Sequence, residues 1–317
     1  MKKTIILSLA AASALAACSK NQTGIVPETE ALAGQTAPIT FVCDSPVLRV
    51  ETKTVTQTTA ASLTSGGFAC AGVEYDSLSY TTLFNCGWNY TTDCFVSASP
   101  YYYPASGSMN FYAVYPKSQA ITVSGGSVSI TYASDNQTDL VVASKSGVSA
   151  TASSVSLSFD HILSLLDFKV KGSDENAYYK LNSISCTVKS GGTYSFSSGS
   201  WTTAGSSDAP VQILSAATPI GKGNASAVSD HSTYTSVGGN VTAVPCTPAI
   251  SVSWSTYMDS GCTRKIADYS CSGVSIQSVS AGKKSTVFLV LPNNDAKTIS
   301  FSVSVNEWGE ETQEVSL

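Results

Sequence analysis

Cysteine and histidine are the residues of this 317-residue chain with the widest chemical reach, and their spacing narrows what they can do. The chain has nine cysteines. Cys18 ends the run Leu15-Ala16-Ala17-Cys18, which follows Lys2, Lys3 and the apolar stretch Ile5–Leu15. Small residues ahead of a cysteine suit a peptidase, and the exposed thiol is then a nucleophile able to accept a diacylglycerol. Positive residues, a short apolar core and small residues in that order make a secretory signal, too short to cross a bilayer as a helix. The other cysteines are Cys43, Cys70, Cys86, Cys94, Cys186, Cys246, Cys262 and Cys271. An even number in an exported chain permits disulfides, and Cys86–Cys94 and Cys262–Cys271 would each close a short loop. The pairing stays open, because buried free thiols packing as small hydrophobes are equally consistent with the sequence. No C-x-x-C and no Cys/His cluster occurs, so no zinc or other metal site is expected.

Catalytic chemistry finds little support. The two histidines, His161 and His231, each follow an aspartate, and Asp160-His161 closes an alternating strand, where capping or turn packing accounts for it. No G-x-S-x-G is present. Glu307, Glu310 and Glu311 form a charged tail of the kind that is normally solvated. Asp135, Asn136 and Asp139 are calcium-ligand types without the spacing of an EF-hand loop. Asp76-Ser77-Leu78 resembles a short bacterial O-glycosylation sequon. The aromatic group Trp88, Tyr90, Tyr101, Tyr102 and Tyr103 would serve either to stack on sugar rings or to pack a core. No catalytic residue and no cofactor are therefore expected, and the chain is read as something other than an enzyme.

Removal of residues 1–17 leaves 15 basic against 22 acidic side chains, a net charge of −7. An acidic chain gives no support to nucleic-acid binding. The cut site resembles the lipobox of bacterial lipoproteins, so the expected location is the outer membrane and cell surface, with lipidated Cys18 as the anchor. Residues 18–37 are polar, with Gly24, Pro27 and Gly34, and read as a tether.

The elements that must position everything else are strands. Charged residues make up only 12% of the chain, so Ser and Thr must cover the solvent faces, as suits a pleated surface. Ile39 and Phe41 alternate with polar residues. Ile121 and Val123 lead through Gly125-Gly126 to Val128, Ile130 and Tyr132, a hairpin. Val155, Leu157 and Phe159 alternate with serines. Ile184, Cys186 and Val188 run through Gly191-Gly192 to Tyr194 and Phe196, which reads as a second hairpin. Ile250, Val252 and Trp254 alternate, as do Ile299, Phe301, Val303 and Val305. Val287–Leu291 is a continuous apolar run, expected of a strand buried on both faces. The stretch His161–Asp167 has room for one or two helical turns. The fold class is all-β: two consecutive β-sandwich domains after a signal peptide and tether. The boundary falls in the polar stretch 145–153, giving a first domain over 38–148 and a second over 149–317.

The chain resembles the fimbrillin family of Bacteroidales, pilin-like lipoproteins of the type V pilus group. The likeness lies in the order and spacing of several pieces. They are Ile39-Thr40-Phe41 with Thr52-Lys53; Gly67-Phe68-Ala69-Cys70-Ala71; and Tyr101-Tyr102-Tyr103-Pro104 with Phe111–Pro116. Asp139–Ala143, Leu157–His161, Phe168-Lys169-Val170 and Leu181–Ser185 follow. The resemblance covers residues 38–205 well and the remainder loosely. It implies transthyretin-like sandwiches, export as a lipoprotein, and assembly with other fimbrial subunits by strand exchange in surface fimbriae that serve adhesion. It also implies proteolytic processing after an arginine past the first strand. Arg49 is the arginine so placed; Arg264 is the only other. The C-terminal segment would then be the donor, with Ile299–Val305 read as the last strand of the second sandwich and 311–317 left open. A surface glycan-binding lipoprotein, with a host or bacterial glycan or protein as partner, is the alternative.

Overall fold

The computed structural model describes residues 39–43, 58–74, 81–103, 107–134, 137–149, 152, 154–214, 216–293 and 299–308. The signal and tether stretches 1–17 and 18–37, Cys18, Arg49 and residues 311–317 lie outside them. Within them the regular structure is almost wholly strand, as the alternation predicts, arranged in four sheets.

The largest sheet has eight strands. They are β1 (Phe41–Cys43), β2 (Phe68–Glu74), β3 (Thr81–Asn89), β4 (Cys94–Ser97), β5 (Ser108–Tyr115), β8 (Val141–Ser149), β9 (Val155–Leu157) and β10 (Asp160–His161). Their order is β10-β8-β5-β2-β3-β4-β1-β9. The sheet curls over itself. Phe41 of β1 reaches Phe111 of β5 with ring centroids 5.3 Å apart, although three strands separate them in the ladder. The inner face encloses an aromatic core of Phe41, Phe68, Phe84, Phe95, Phe111 and Phe159. A helix of about two turns, α1 (Ala60–Gly66), closes it with Leu63. Thr59 caps this helix by accepting the Ser62 N–H at 3.1 Å. Gly67 ends it at φ 69°, where a Cβ would collide with the carbonyl oxygen of Cys86.

A four-stranded sheet, β14 (Ser200–Thr202), β13 (Gly191–Ser195), β7 (Ser127–Ala133) and β6 (Ile121–Ser124), covers the outer face of β2 and β5. The small residues Ala69 and Ala71 point there while Phe68 and Cys70 point inward, so β2 is buried on both faces. The β6–β7 hairpin is as expected: Gly125 and Gly126 both take positive φ, 54° and 84°, between paired Ser124 and Ser127.

Two five-stranded sheets make the second sandwich. One joins β11 (Ser164–Gly172), β17 (Thr235–Ser236), β18 (Val241–Ala243), β21 (Lys283–Leu291) and β22 (Ser300–Glu307). The other joins β12 (Tyr178–Lys189), β15 (Asp208–Leu214), β16 (Thr218–Lys222), β19 (Ala249–Tyr257) and β20 (Lys265–Ser275). Their facing apolar sides form one core around Trp254, Tyr179 and Phe168. Val287–Leu291 lies in the central strand β21, between β11 and β22, and is buried throughout. Ile299–Val305 supplies β22, the last strand described.

Two expectations change. His161–Asp167 is not helical: residues 162–168 are all buried and enter β11, which carries neighbours on both edges. A strand buried on both faces shows the same dense apolar run as a buried helical turn, and only the pairing separates them. Ile184–Phe196 is not a hairpin. β12 pairs with β15, β16 and β19, while β13 crosses to another sheet and pairs with β7 and β14. Gly191 makes the crossing, since a Cβ there would strike the Tyr132 carbonyl. The polar stretch 145–153 is strand as far as Ser149, which pairs with Ser108. Ladders also link strands across residue 148: β9 pairs with β1, β10 with β8, and β13 with β7.

Candidate functional site

The feature with the clearest functional geometry is the slot that holds β1. Three residues of strand lie between β4, antiparallel with Phe41 opposite Phe95, and β9, parallel with Phe41, Val42 and Cys43 opposite Val155, Ser156 and Leu157. Backbone hydrogen bonds fasten its start: Ile39 N–H donates to Tyr101 O at 2.8 Å, and Val155 N–H to Thr40 O at 2.8 Å. Ile39, Thr40 and Phe41 are all nearly inaccessible to solvent. The Phe41 ring stands edge-on to Phe68 at 5.9 Å and to Phe111 at 5.3 Å, and tilts against Phe84 at 5.8 Å. Such pairs add to the burial of the ring itself. Emptied, the slot would expose two rows of unpaired backbone groups and one deep aromatic pocket, and an added strand would satisfy both.

The other sequence-derived candidates settle into structural roles. Tyr103 is buried, Tyr101 stacks on Phe84 at 4.6 Å, and Trp88 sits edge-on to Phe95 at 4.9 Å. Of that aromatic group Tyr90 is the most exposed, at 79%, while Trp88, Tyr101 and Tyr102 are half-buried. Asp139 accepts the Thr58 N–H at 2.8 Å and contacts His161 Nδ1 at 3.1 Å; Asp135 and Asn136 lie outside the described residues. His231 stacks on Phe288 at 3.7 Å and reaches Ser302 with Nε2. No helix among the described residues is long and apolar enough to cross a membrane.

Neither local disulfide forms, because Cys86, Cys262 and Cys271 are free thiols. In the β3–β4 hairpin Cys86 faces Ser97, whereas Cys94 faces Asn89. Three strand steps, roughly 10 Å, separate the two cysteines, beyond the reach of a disulfide. Cys262 lies in the loop before β20, and Cys271 lies well inside that strand opposite Val252. Cys70, Cys86 and Cys186 are buried, and burial lifts each thiol above the ordinary value of 9.0, Cys186 to about 12. Unfolded thiols ionise above pH 9 while these stay protonated. Stability is therefore complete below about pH 9 and falls as the pH rises beyond it. Each thiol contributes a slope of about 1.4 kcal/mol per pH unit. Urea denaturation between pH 8 and 10.5 is expected to show this fall, and Cys186→Ala is expected to flatten it by one thiol's share.

Sequence reasoning found β1 and missed its sleeve. The signal for Phe68, Phe84 and Phe111 was present as inward positions of alternating strands, but nothing marked them as neighbours of Phe41. The parallel pairing of β1 with β9 left no local trace.

Sheets and core together define an all-β, sandwich-like protein. The chain belongs to the fimbrillin-like family, whose model matches residues 49–308. Among solved structures it is similar to a "putative cell adhesion protein" from Bacteroides uniformis (14% identity, 77% of this chain and 92% of that one, TM-score 0.46). It is similar to another so described from Bacteroides ovatus (14% identity, 87% and 99%, TM-score 0.47). It is also similar to the fimbrial anchor protein Mfa2 from Porphyromonas gingivalis (12% identity, 86% and 97%, TM-score 0.38). No curated relative matches the sequence. The family is one of fimbrial, adhesion-type proteins rather than enzymes.

Proposed function

We propose that this chain is a surface lipoprotein subunit of a type V fimbria, lipidated at Cys18 and joined to other subunits by strand exchange at the β1 slot. One observation supports this reading above the others. β1 is short, lies between two strands rather than at an edge, and delivers Phe41 into a pocket formed by other strands. Arg49 follows it by six residues. Hydrolysis after Arg49 would leave β1 held by its ladder and by the burial of Ile39 and Phe41. A strand from a neighbouring subunit with an aromatic residue in register would take its place.

The test is incubation of the chain from Cys18 onward with an arginine-specific, trypsin-like protease. Arg264 lies in the exposed approach to β20, so Arg264→Lys is used to confine cutting to Arg49. The expected result is a new N-terminus at Val50 followed by multimers that survive SDS. A chain that is cut at Arg49 and remains monomeric contradicts assembly by strand exchange. A cell-derived chain that lacks lipid at Cys18 contradicts the anchor.

A further inference from the structure

Two distant parts of the chain meet at one buried contact. Asp139 and His161 face each other at 3.1 Å, and their side chains are 1% and 5% exposed. The second carboxylate oxygen of Asp139 accepts the backbone N–H of Thr58 at 2.8 Å. Thr58 immediately precedes Thr59, the cap of α1, and α1 closes the aromatic core beside the β1 slot. On its other side the His161 ring lies flat on Trp308, with centroids 4.4 Å apart and planes 9° from parallel. Trp308 follows the last residue of β22, and its backbone N–H donates to Gly282 O at 2.9 Å. Carboxylate, imidazole and indole thus form a continuous bridge from the approach to α1 to the end of β22.

The Trp308 indole N–H and the Thr58 hydroxyl are buried, and neither has a hydrogen-bond partner among the described residues. Each is held out of water at a desolvation cost that exposure would relieve. Both ends are therefore held by the Asp139–His161 hydrogen bond, the stack, the apolar packing of Trp308 and local backbone bonds, against the hydration these two groups forgo.

We propose that the Asp139–His161 pair couples the segment before α1 to the end of β22, so that freeing the chain ahead of Thr58 loosens residues 299–308. The inference deepens the fimbrial reading, because a cut at Arg49 frees that side, but the coupling itself requires neither cutting nor polymerisation. By reciprocity the effect runs both ways: loosening Trp308 loosens Thr58.

Hydrogen–deuterium exchange on the intact, uncut chain tests it. Asp139→Asn removes the carboxylate that contacts both His161 and Thr58 with little change of shape, and Trp308→Ala removes the stack from the opposite end. Each is expected to accelerate exchange roughly tenfold, as for a coupling of modest size, in both 58–66 and 299–308, with β12 and β19 unchanged. Trp308→Phe keeps an aromatic ring on His161 and is expected to preserve protection at 58–66. The proposal is overturned if Asp139→Asn loosens 58–66 alone, or if Trp308→Ala leaves 58–66 protected. Acceleration spread evenly through β12 and β19 also overturns it, since that is global loosening rather than a link between two ends. None of these outcomes bears on whether Arg49 is cut or multimers form.

Discussion

Phe41→Ala is expected to lower the free energy of unfolding by about 3–5 kcal/mol, the range for truncating a buried phenylalanine. The side chain is 1% exposed, and its ring contacts come from β2, β3 and β5, so the cavity left behind cannot be filled by movement of one neighbour. The loss is expected to concentrate in β1. Three residues of strand hold few hydrogen bonds of their own, and without the ring the ladder to β4 and β9, the bonds at Ile39 and Thr40 and the Ile39 side chain are what remain. Denaturant titration measures the total. Exchange protection at Val155, whose N–H donates to Thr40 O, reports whether β1 has left its slot. A loss near 1 kcal/mol, with Val155 still protected, would mean that Phe41 is not what holds the strand.

Trp254→Ala is expected to cost a similar amount, about 3–5 kcal/mol, and to do so through a single transition. The indole is wholly buried in the second sandwich, stacks on Tyr269 at 5.4 Å and donates to Pro292 O at 3.0 Å. Damage there would unfold the second sandwich alone if the two cores were independent. They are tied at several points. The β13–β14 hairpin leaves the second half to pair with β7, and Trp201 on it donates to Ile162 O at 2.6 Å. Tyr132 and Thr242 share a hydroxyl hydrogen bond at 2.8 Å, and Gln137 accepts the Thr242 N–H at 2.9 Å. Calorimetry is therefore expected to show one peak, moved to lower temperature. Two separated peaks would show that these ties are too weak to join the cores.

What the sequence made legible was which face of each strand is buried. The serines between Val155, Leu157 and Phe159, the glycine pair before Val128 and the unbroken run Val287–Leu291 each had one physical reading, and the structure has strands at all three. What periodicity does not carry is which strand lies beside which. Gly191-Gly192 had the composition of a hairpin turn, yet it serves a crossing between sheets, because Tyr132, 59 residues before Gly191, takes up the space. The dense apolar spacing of Ile162–Leu166 suits a helix as well as a doubly covered strand, and the choice was made by β18 and β21, far along the chain. The β1 slot divided in the same manner. Its strand and the arginine after it were visible. The aromatic sleeve and the parallel partner β9 were not, being products of how the sheet curls.

The claim on which the functional reading rests is that β1 is a replaceable part. A labelled peptide with the sequence of residues 38–44 measures this directly, offered in parallel to the uncut Arg264→Lys chain and to the same chain after cutting at Arg49. The expected result is incorporation into the cut form only, with a peptide carrying alanine for Phe41 binding at least about a hundredfold more weakly, as the loss of about 3 kcal/mol requires. Equal incorporation into both forms, or none into the cut form while its fold is retained, would contradict the account.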